Sequence, residues 1–138
     1  MNRTDLQQLA ELRVKEARIL LDAASYPGAY YLAGYAIECA LKACIAKQTK
    51  EYDFPDKDIV NRSWTHKLGE LLNLAELKDR LEKDMKSNKD LDTFWAIVVN
   101  WEEKKRYDLG VTQEEANNLC DAISDPANGV LQWLKKWW

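Results

Sequence analysis

The stretch from Ala29 to Lys47 constrains the fold of this chain most strongly. Almost every position in it is apolar or small, and the polar exceptions are Glu38, Lys42 and Lys47 itself. Its richness in alanine and leucine and its lack of proline predict a helix. A helix that is apolar on nearly every side is either the central helix of a bundle or a membrane span. Charges one turn apart are costly inside a membrane, so Glu38 and Lys42 favour the bundle.

The composition predicts one soluble globular domain spanning residues 1–138. Hydrophobic residues make up 46% of the chain and charged residues 31%, which excludes a disordered chain. Residues 1–13 contain no apolar run, so we expect no secretion signal and a cytoplasmic location. The formal net charge of -3 gives no overall attraction for nucleic acid, and the short basic groups are interpreted as solvated surface.

The cysteine and histidine content argues against a metal site or a disulfide framework. Cys39, Cys44 and Cys120 are an odd number, and two of them lie on the predicted core helix. They therefore fit free thiols in a reducing compartment. With a single histidine and no paired cysteine spacing, we expect no structural zinc and no cofactor.

The remaining segments predict an all-α fold, in which residues 48–64 form a long loop because they lack periodicity. Ile97 to Val99 would also suit a strand, although the length of their segment favours a helix. Apart from the core helix, helices are predicted over Thr4–Ala24, 66–77, 76–87 and Asp90–Trp101, and Thr65 is the predicted N-cap of the second of these. A capping box of Thr112 and Glu115 predicts a further helix that runs to Ile123. A short helical stretch is predicted after Asp125 and Pro126.

Three sequence phrases together resemble the HEPN superfamily of small helical-bundle proteins. They are SYPGAYYLAGYAIECALKACIAK, THKLGELL, and a tryptophan followed after four residues by Arg-Tyr, at Trp101, Arg106 and Tyr107. The A-x-E-x-x-x-K pattern at Glu38 and Lys42 is the most specific part of the match. The resemblance implies an up-and-down bundle of four to five main helices, usually a homodimer, in bacteria or archaea.

The same resemblance implies two functional classes. Some members are endoribonucleases, often toxins paired with a small nucleotidyltransferase, whereas others lack the catalytic motif and serve as binding or adaptor modules. The family's RNase motif is arginine, four to six residues, then histidine, and the two side chains meet across the dimer. Here the only histidine is His66, and Arg62 precedes it with three residues between them. The resemblance thus favours a binding module for nucleotide, RNA or a partner protein such as a nucleotidyltransferase; the alternative is a divergent metal-independent endoribonuclease using His66 with Arg62 or Arg106.

Two interpretations of the polar residues on the core helix remain open. In the structural one, Glu38, Lys42 and Arg106 form a buried charge network, because none of them can be buried unpaired cheaply. In the functional one, Lys42 and Arg106 receive a phosphate, and Tyr35 or Tyr107 supplies a hydroxyl or a stacking ring. His66 likewise has a structural interpretation, as a histidine at a helix start that contacts the backbone or a carboxylate.

The six tryptophans fall into two groups. Trp64, Trp95 and Trp101 are predicted to lie in the core. The other three are in the last six residues, where they suggest a partner surface or a dimer contact, or alternatively a cap on the bundle of their own chain. They are Trp133, Trp137 and Trp138.

Overall fold

A computed structural model describes residues 1–49 and 54–138 of the chain, except for the side chain of Arg106. All regular secondary structure within these ranges is helical, which confirms the predicted all-α fold and is compatible with a helical bundle. The elements are α1 (Arg3–Asp22), α2 (Tyr26–Lys47), α3 (Lys57–Arg62), α4 (Leu68–Leu74), α5 (Lys78–Ser87), α6 (Lys89–Val98), a 3₁₀ helix (Glu103–Tyr107), α7 (Gln113–Ser124) and α8 (Val130–Leu134).

Helix α2 is the centre of the fold, as its apolar composition predicts. It packs against α1, α4, α7, α8 and the 3₁₀ helix, and Glu38 is its one buried charged residue. It begins at Tyr26, earlier than predicted, because Pro27 is accommodated in the first turn, where its missing N–H is not needed. Within the described residues, no helix combines the length and apolar character that crossing a membrane requires.

Helix α1 is shorter than predicted at its carboxyl end. The side chain of Asn2 caps it by accepting a hydrogen bond from the N–H of Asp5, and the helix stops at Asp22. Ala24 then adopts a left-handed conformation with φ of 60°, and the N–H of Ser25 donates to the carbonyl of Leu20 at 2.8 Å. This is a Schellman-type end, which turns the chain directly back into α2.

The predicted loop over residues 48–64 is partly wrong. Residues 50–53 lie outside the described part of the chain, but α3 occupies six of the later positions. Asp56 follows Pro55 and caps this helix by accepting from the N–H of Asp58 at 2.8 Å. A helix of fewer than two turns is too short to show a 3.6-residue period, which is why the pattern missed it.

The predicted capping at the next helix is also shifted. Lys67, and not Thr65, occupies the N-cap position of α4, which begins at Leu68. The Thr65 hydroxyl instead accepts a hydrogen bond from the N–H of Lys67 at 3.2 Å. That bond fixes a short turn before the helix, and the turn places the side chain of His66 against α2.

The apolar segment before Trp101 is a helix and not a strand. Leu91 and Val98, seven positions apart, are buried on one face of α6, and that helix packs against α7. The following helix begins after Thr112 as predicted, with the Thr112 hydroxyl accepting from the N–H of Glu115 at 3.1 Å. The Glu115 side chain contacts the Thr112 hydroxyl and not its backbone, so the cap is only half of the predicted box.

The tryptophans predicted to be core residues have three different environments. Trp101 is 2% exposed and lies face-on against Gly34 of α2, so this prediction is confirmed. Trp95 is half-buried at the edge of the core. The prediction for Trp64 is wrong, because its side chain follows the short helix α3 and remains 76% exposed.

Candidate functional site: a buried ion network between two clefts

Glu38 is the centre of the candidate site. Its side chain is 2% exposed, and both carboxylate oxygens are engaged. One oxygen, Oε1, lies 2.7 Å from Nδ1 of His66, and the other, Oε2, accepts from Nζ of Lys42 at 3.3 Å. A buried carboxylate is tolerated only when such partners offset its lost hydration. The Glu38–Lys42–His66 network therefore joins α2 to the turn before α4.

His66 contacts a carboxylate, as its structural interpretation predicts. Since an ionised carboxylate only accepts hydrogen bonds, Nδ1 of His66 carries the proton and donates to Glu38. The histidine side chain is 51% exposed, whereas that of Lys42 is 24% exposed. Both partners of Glu38 can thus reach solvent, and Glu38 is the one member of the network that cannot.

The first of two clefts, here called the aromatic cleft, opens over one side of the network. It has a volume of about 820 Å³, and its floor is formed by Tyr35, Glu38, Cys39 and Lys42 of α2. Its outer wall comes from the segment around α3 and consists mainly of apolar side chains. These are Phe54, Pro55, Ile59, Val60 and Trp64.

The second cleft, here called the histidine cleft, lies on the other side. It has a volume of about 950 Å³ and includes His66, Lys78, Trp95 and Trp101 in its lining. His66 borders this cleft while its partner Glu38 borders the aromatic cleft. The His66–Glu38 contact therefore links a lining residue of one cleft to a lining residue of the other.

Tyr35 is held rigidly at the floor of the aromatic cleft. Its ring stacks on that of Tyr31 at 6.1 Å between centroids and 5° between planes, and Tyr31 in turn contacts Trp101. Burial, followed by the neighbouring Cys39 and Glu38, raises the pKa of Tyr35 to about 12. A side-chain hydrogen bond with Cys39 contributes to this rise, so the hydroxyl of Tyr35 is fixed beside Cys39 in the cleft.

The three cysteines are buried free thiols, as expected from the sequence. Burial raises the pKa of Cys39 to about 11, that of Cys44 to about 12 and that of Cys120 to about 11. Since the thiolate is the reactive form, we predict that iodoacetamide labels none of them in the folded protein near neutral pH and labels all three after unfolding. Mass spectrometry of the alkylated chain measures this, and labelling of the folded protein at the unfolded rate would contradict the burial.

The same pKa shifts predict a loss of stability at alkaline pH. Folding favours the protonated thiols, so their contribution to the free energy of unfolding is fully present below the ordinary value of 9.0. It declines as the pH rises from there towards 11 to 12, where Cys39 and Cys44 ionise in the folded state. Denaturant midpoints measured across this range should fall less in a variant with Cys39→Ala and Cys44→Ala.

The arginines proposed for catalysis are not brought to His66 by the described contacts. Arg62 is 60% exposed and pairs with Asp58 at 3.5 Å, one turn earlier on α3. Arg106 lies on the 3₁₀ helix, but its side chain is outside the described part of the structure, so its contact with Glu38 stays a prediction. Tyr107, predicted as a ligand-binding residue, is 71% exposed and lies outside the described lining of both clefts.

The aromatic wall is the part of the site that sequence reasoning missed. Phe54 is 99% exposed and Trp64 is 76% exposed, although large apolar residues in aperiodic segments usually contribute to a core. The proline and aspartate that precede α3 marked a turn but not the direction of these side chains. Exposure depends on how α3 docks, and a sequence pattern does not contain that information.

The carboxyl-terminal tryptophans are held by their own chain to different degrees. Trp133 is 4% exposed and its Nε1 donates to Asp84 at 2.8 Å, so within the chain it caps the bundle, the second of its two interpretations. The guanidinium of Arg80 lies 4.9 Å from the ring centre of Trp137, which is partly buried. A partner surface at Trp137 and Trp138 stays a prediction.

A comparison with models of protein families shows the family to which the chain belongs. A family model described as the HEPN domain matches residues 4–137, nearly the whole sequence. The chain belongs to the HEPN family. Comparisons with curated proteins and with solved structures give no match.

Membership of the HEPN family suggests a role in RNA binding, RNA cleavage or adaptor function, and HEPN domains commonly act as dimers. In this HEPN domain, the polar residues of the candidate site already form an internal ion network. Within the described residues, no group of three or more His, Cys, Asp or Glu side chains is placed to hold a metal ion.

Proposed function

We propose that this HEPN domain is a non-catalytic binding module that engages nucleotide, RNA or a partner protein, such as a nucleotidyltransferase, through the aromatic cleft. The observation that carries the proposal is the use of His66 inside the Glu38–Lys42–His66 network. A catalytic histidine needs a partner for the reacting group, whereas here the nearest upstream arginine, Arg62, pairs with Asp58.

The cleft offers both kinds of contact that a binding module needs. At its floor, the Tyr35 hydroxyl and the Lys42 ammonium are polar groups held in place by packing. Along its wall, Trp64 and Phe54 present exposed aromatic faces. A mostly apolar cavity with a few fixed polar groups is the usual form of a binding site.

We also propose roles for residues outside the described lining of the aromatic cleft. Arg106 and Tyr107, which follow α6 on the 3₁₀ helix, are proposed as additional ligand contacts. The chain is proposed to form a homodimer with Trp137 and Trp138 at the contact, since aromatic residues are enriched in such interfaces. Analytical ultracentrifugation of wild type and of Trp138→Ala tests the dimer, which should dissociate more readily in the variant.

Titration calorimetry with three defined probes tests the binding function. The probes are ATP, a single-stranded RNA oligonucleotide and a synthetic peptide of leucine and lysine. We expect at least one to bind, and Tyr35→Phe together with Trp64→Ala to weaken that binding at least about tenfold, because a hydroxyl and an exposed aromatic face of the cleft are lost. Leu109→Ala is the matched control, since Leu109 is exposed but lies outside the described lining of the clefts and should leave affinity unchanged.

Binding that is equal in the wild type and the cleft variants would contradict the proposed site. Absence of binding by all three probes would contradict the proposed function. Far-ultraviolet circular dichroism must be identical for the wild type and each variant, so that loss of binding reports the cleft and not unfolding.

The geometry of His66 also favours a second candidate function, a divergent metal-independent endoribonuclease. Its Nδ1 lies 2.7 Å from Oε1 of Glu38, which orients the ring, and Nε2 is the nitrogen left for a substrate because the ring borders the histidine cleft. A histidine oriented by a carboxylate is a common form of general base. In this candidate, Arg62 or Arg106 stabilises the negative charge that develops on the phosphate.

A further inference from the structure

The wall of the aromatic cleft carries an unusual amount of exposed apolar surface. Phe54 is 99% exposed, Trp64 is 76% exposed and Val60 is 41% exposed, and all three line the same cavity. Clustered exposed apolar side chains usually mark a surface that another molecule covers. Tyr35 and Ile45 of α2 continue this surface into the cleft.

The charged side chains of the cleft decide what kind of molecule fits it. Among the described side chains that line it, one lysine, Lys42, accompanies three carboxylates, those of Glu38, Asp56 and Glu76. Lys42 is already paired with Glu38, so it is not a free cation for a phosphate. The carboxylate of Asp56 caps α3, and Glu76 has no ion-pair partner among the described residues.

This balance disfavours an anionic occupant. A phosphate entering the cleft would meet an excess of negative charge, and the formal net charge of the whole chain is -3. A lysine or arginine side chain would instead meet the carboxylates at the rim and the faces of Trp64 and Phe54, with which cations interact favourably. Apolar neighbours of such a side chain would cover Val60.

We infer that the aromatic cleft binds a segment of a partner protein in which lysine or arginine alternates with apolar side chains. This inference rests on the proposed function and selects the protein partner over nucleotide and RNA for this cleft. The charge complementarity between the carboxylate rim and the basic segment sets the specificity, and the aromatic wall supplies most of the contact energy.

Calorimetric titration with two matched peptides tests the inference. One peptide consists of leucine and lysine, and the other has glutamate in place of every lysine. We expect the wild-type protein to bind the basic peptide at least about tenfold more tightly than the acidic one, since like charges at an interface are strongly unfavourable. We expect Trp64→Ala to lower the affinity for the basic peptide at least about tenfold, as truncation of an aromatic anchor does.

Two control substitutions separate the cleft from the general surface. Leu109→Ala removes an equally apolar side chain that is 91% exposed elsewhere, and it should leave the affinity unchanged. Glu76→Lys should lower the affinity for the basic peptide, whereas Glu114→Lys, the same charge change on α7, should leave that affinity unchanged. Because Trp64 and Glu76 are exposed, these variants are expected to remain folded.

Equal affinity for the two peptides, or a basic-peptide affinity that Trp64→Ala does not change, would overturn the inference. If RNA binds the wild type and Trp64→Ala abolishes that binding while the basic peptide fails to bind, the inference fails but the proposed binding function stands. If the protein cleaves RNA through His66, the proposed function itself fails.

Discussion

Replacement of Gly34 by alanine is expected to lower the free energy of unfolding by about 2–3 kcal/mol. A Cβ atom at this position would lie 2.2 Å from three indole atoms of Trp101, well inside any real contact distance. The indole is 2% exposed and also packs against Tyr31, so it has little room to move away. Alanine gains about 1 kcal/mol in helix propensity over glycine, which is too little to offset the clash. Equilibrium denaturation in urea measures the difference.

The matched control is the same substitution at Gly69. A Cβ atom there would meet Val99 at 3.8 Å, an ordinary contact, so Gly69→Ala should raise the free energy of unfolding by about 0.5 kcal/mol. The two substitutions are chemically identical and are predicted to have opposite signs. Destabilisation of equal size at both positions would show that the close contact between Gly34 and Trp101 does not set the distance between α2 and the Trp101 side chain.

Removal of both described partners of the Glu38 carboxylate, Lys42 and His66, is expected to lower the free energy of unfolding by about 3–5 kcal/mol. In the double variant with Lys42→Met and His66→Leu, the Glu38 carboxylate remains 2% exposed with neither of its present partners. Each single variant should be less affected, because one of the two partners remains to neutralise the carboxylate. Urea denaturation near neutral pH measures the singles and the double.

A third substitution provides the decisive control for this prediction. Adding Glu38→Met to the double variant removes the buried charge, and it should restore most of the lost stability, because apolar side chains commonly replace buried ion pairs without loss. A triple variant as unstable as the double would contradict the account, since the loss would then come from packing and not from the unpaired Glu38 carboxylate.

The core helix and its family relationship were the parts of the fold most readable from the sequence. Residues 29–47 allow few environments other than the centre of a bundle, and their Glu38–Lys42 spacing identified the pair that the structure joins. These predictions depended on local composition and spacing, which a sequence contains directly.

The remaining features depended on contacts between distant segments. His66 and Glu38 are 28 positions apart in the chain, and they meet because α4 docks against α2. The exposure of Trp64 likewise follows from the placement of α3, whose six residues are too few for a periodic pattern. Sequence reasoning named His66, Glu38 and Tyr35 as candidates and placed Trp64 in the core, but it had no basis for assigning any of them to one cleft or the other.

Cleavage of RNA in the presence of a metal chelator tests the central claim, that His66 serves the buried network and the domain binds without catalysis. The assay compares wild type with His66→Asn, whose side-chain amide can still donate to Glu38 but cannot act as a base, and with Arg106→Ala. We expect the wild type to cleave no more RNA than the two variants do. Cleavage by the wild type that is lost in a fully folded His66→Asn or Arg106→Ala would contradict the central claim and establish an endoribonuclease.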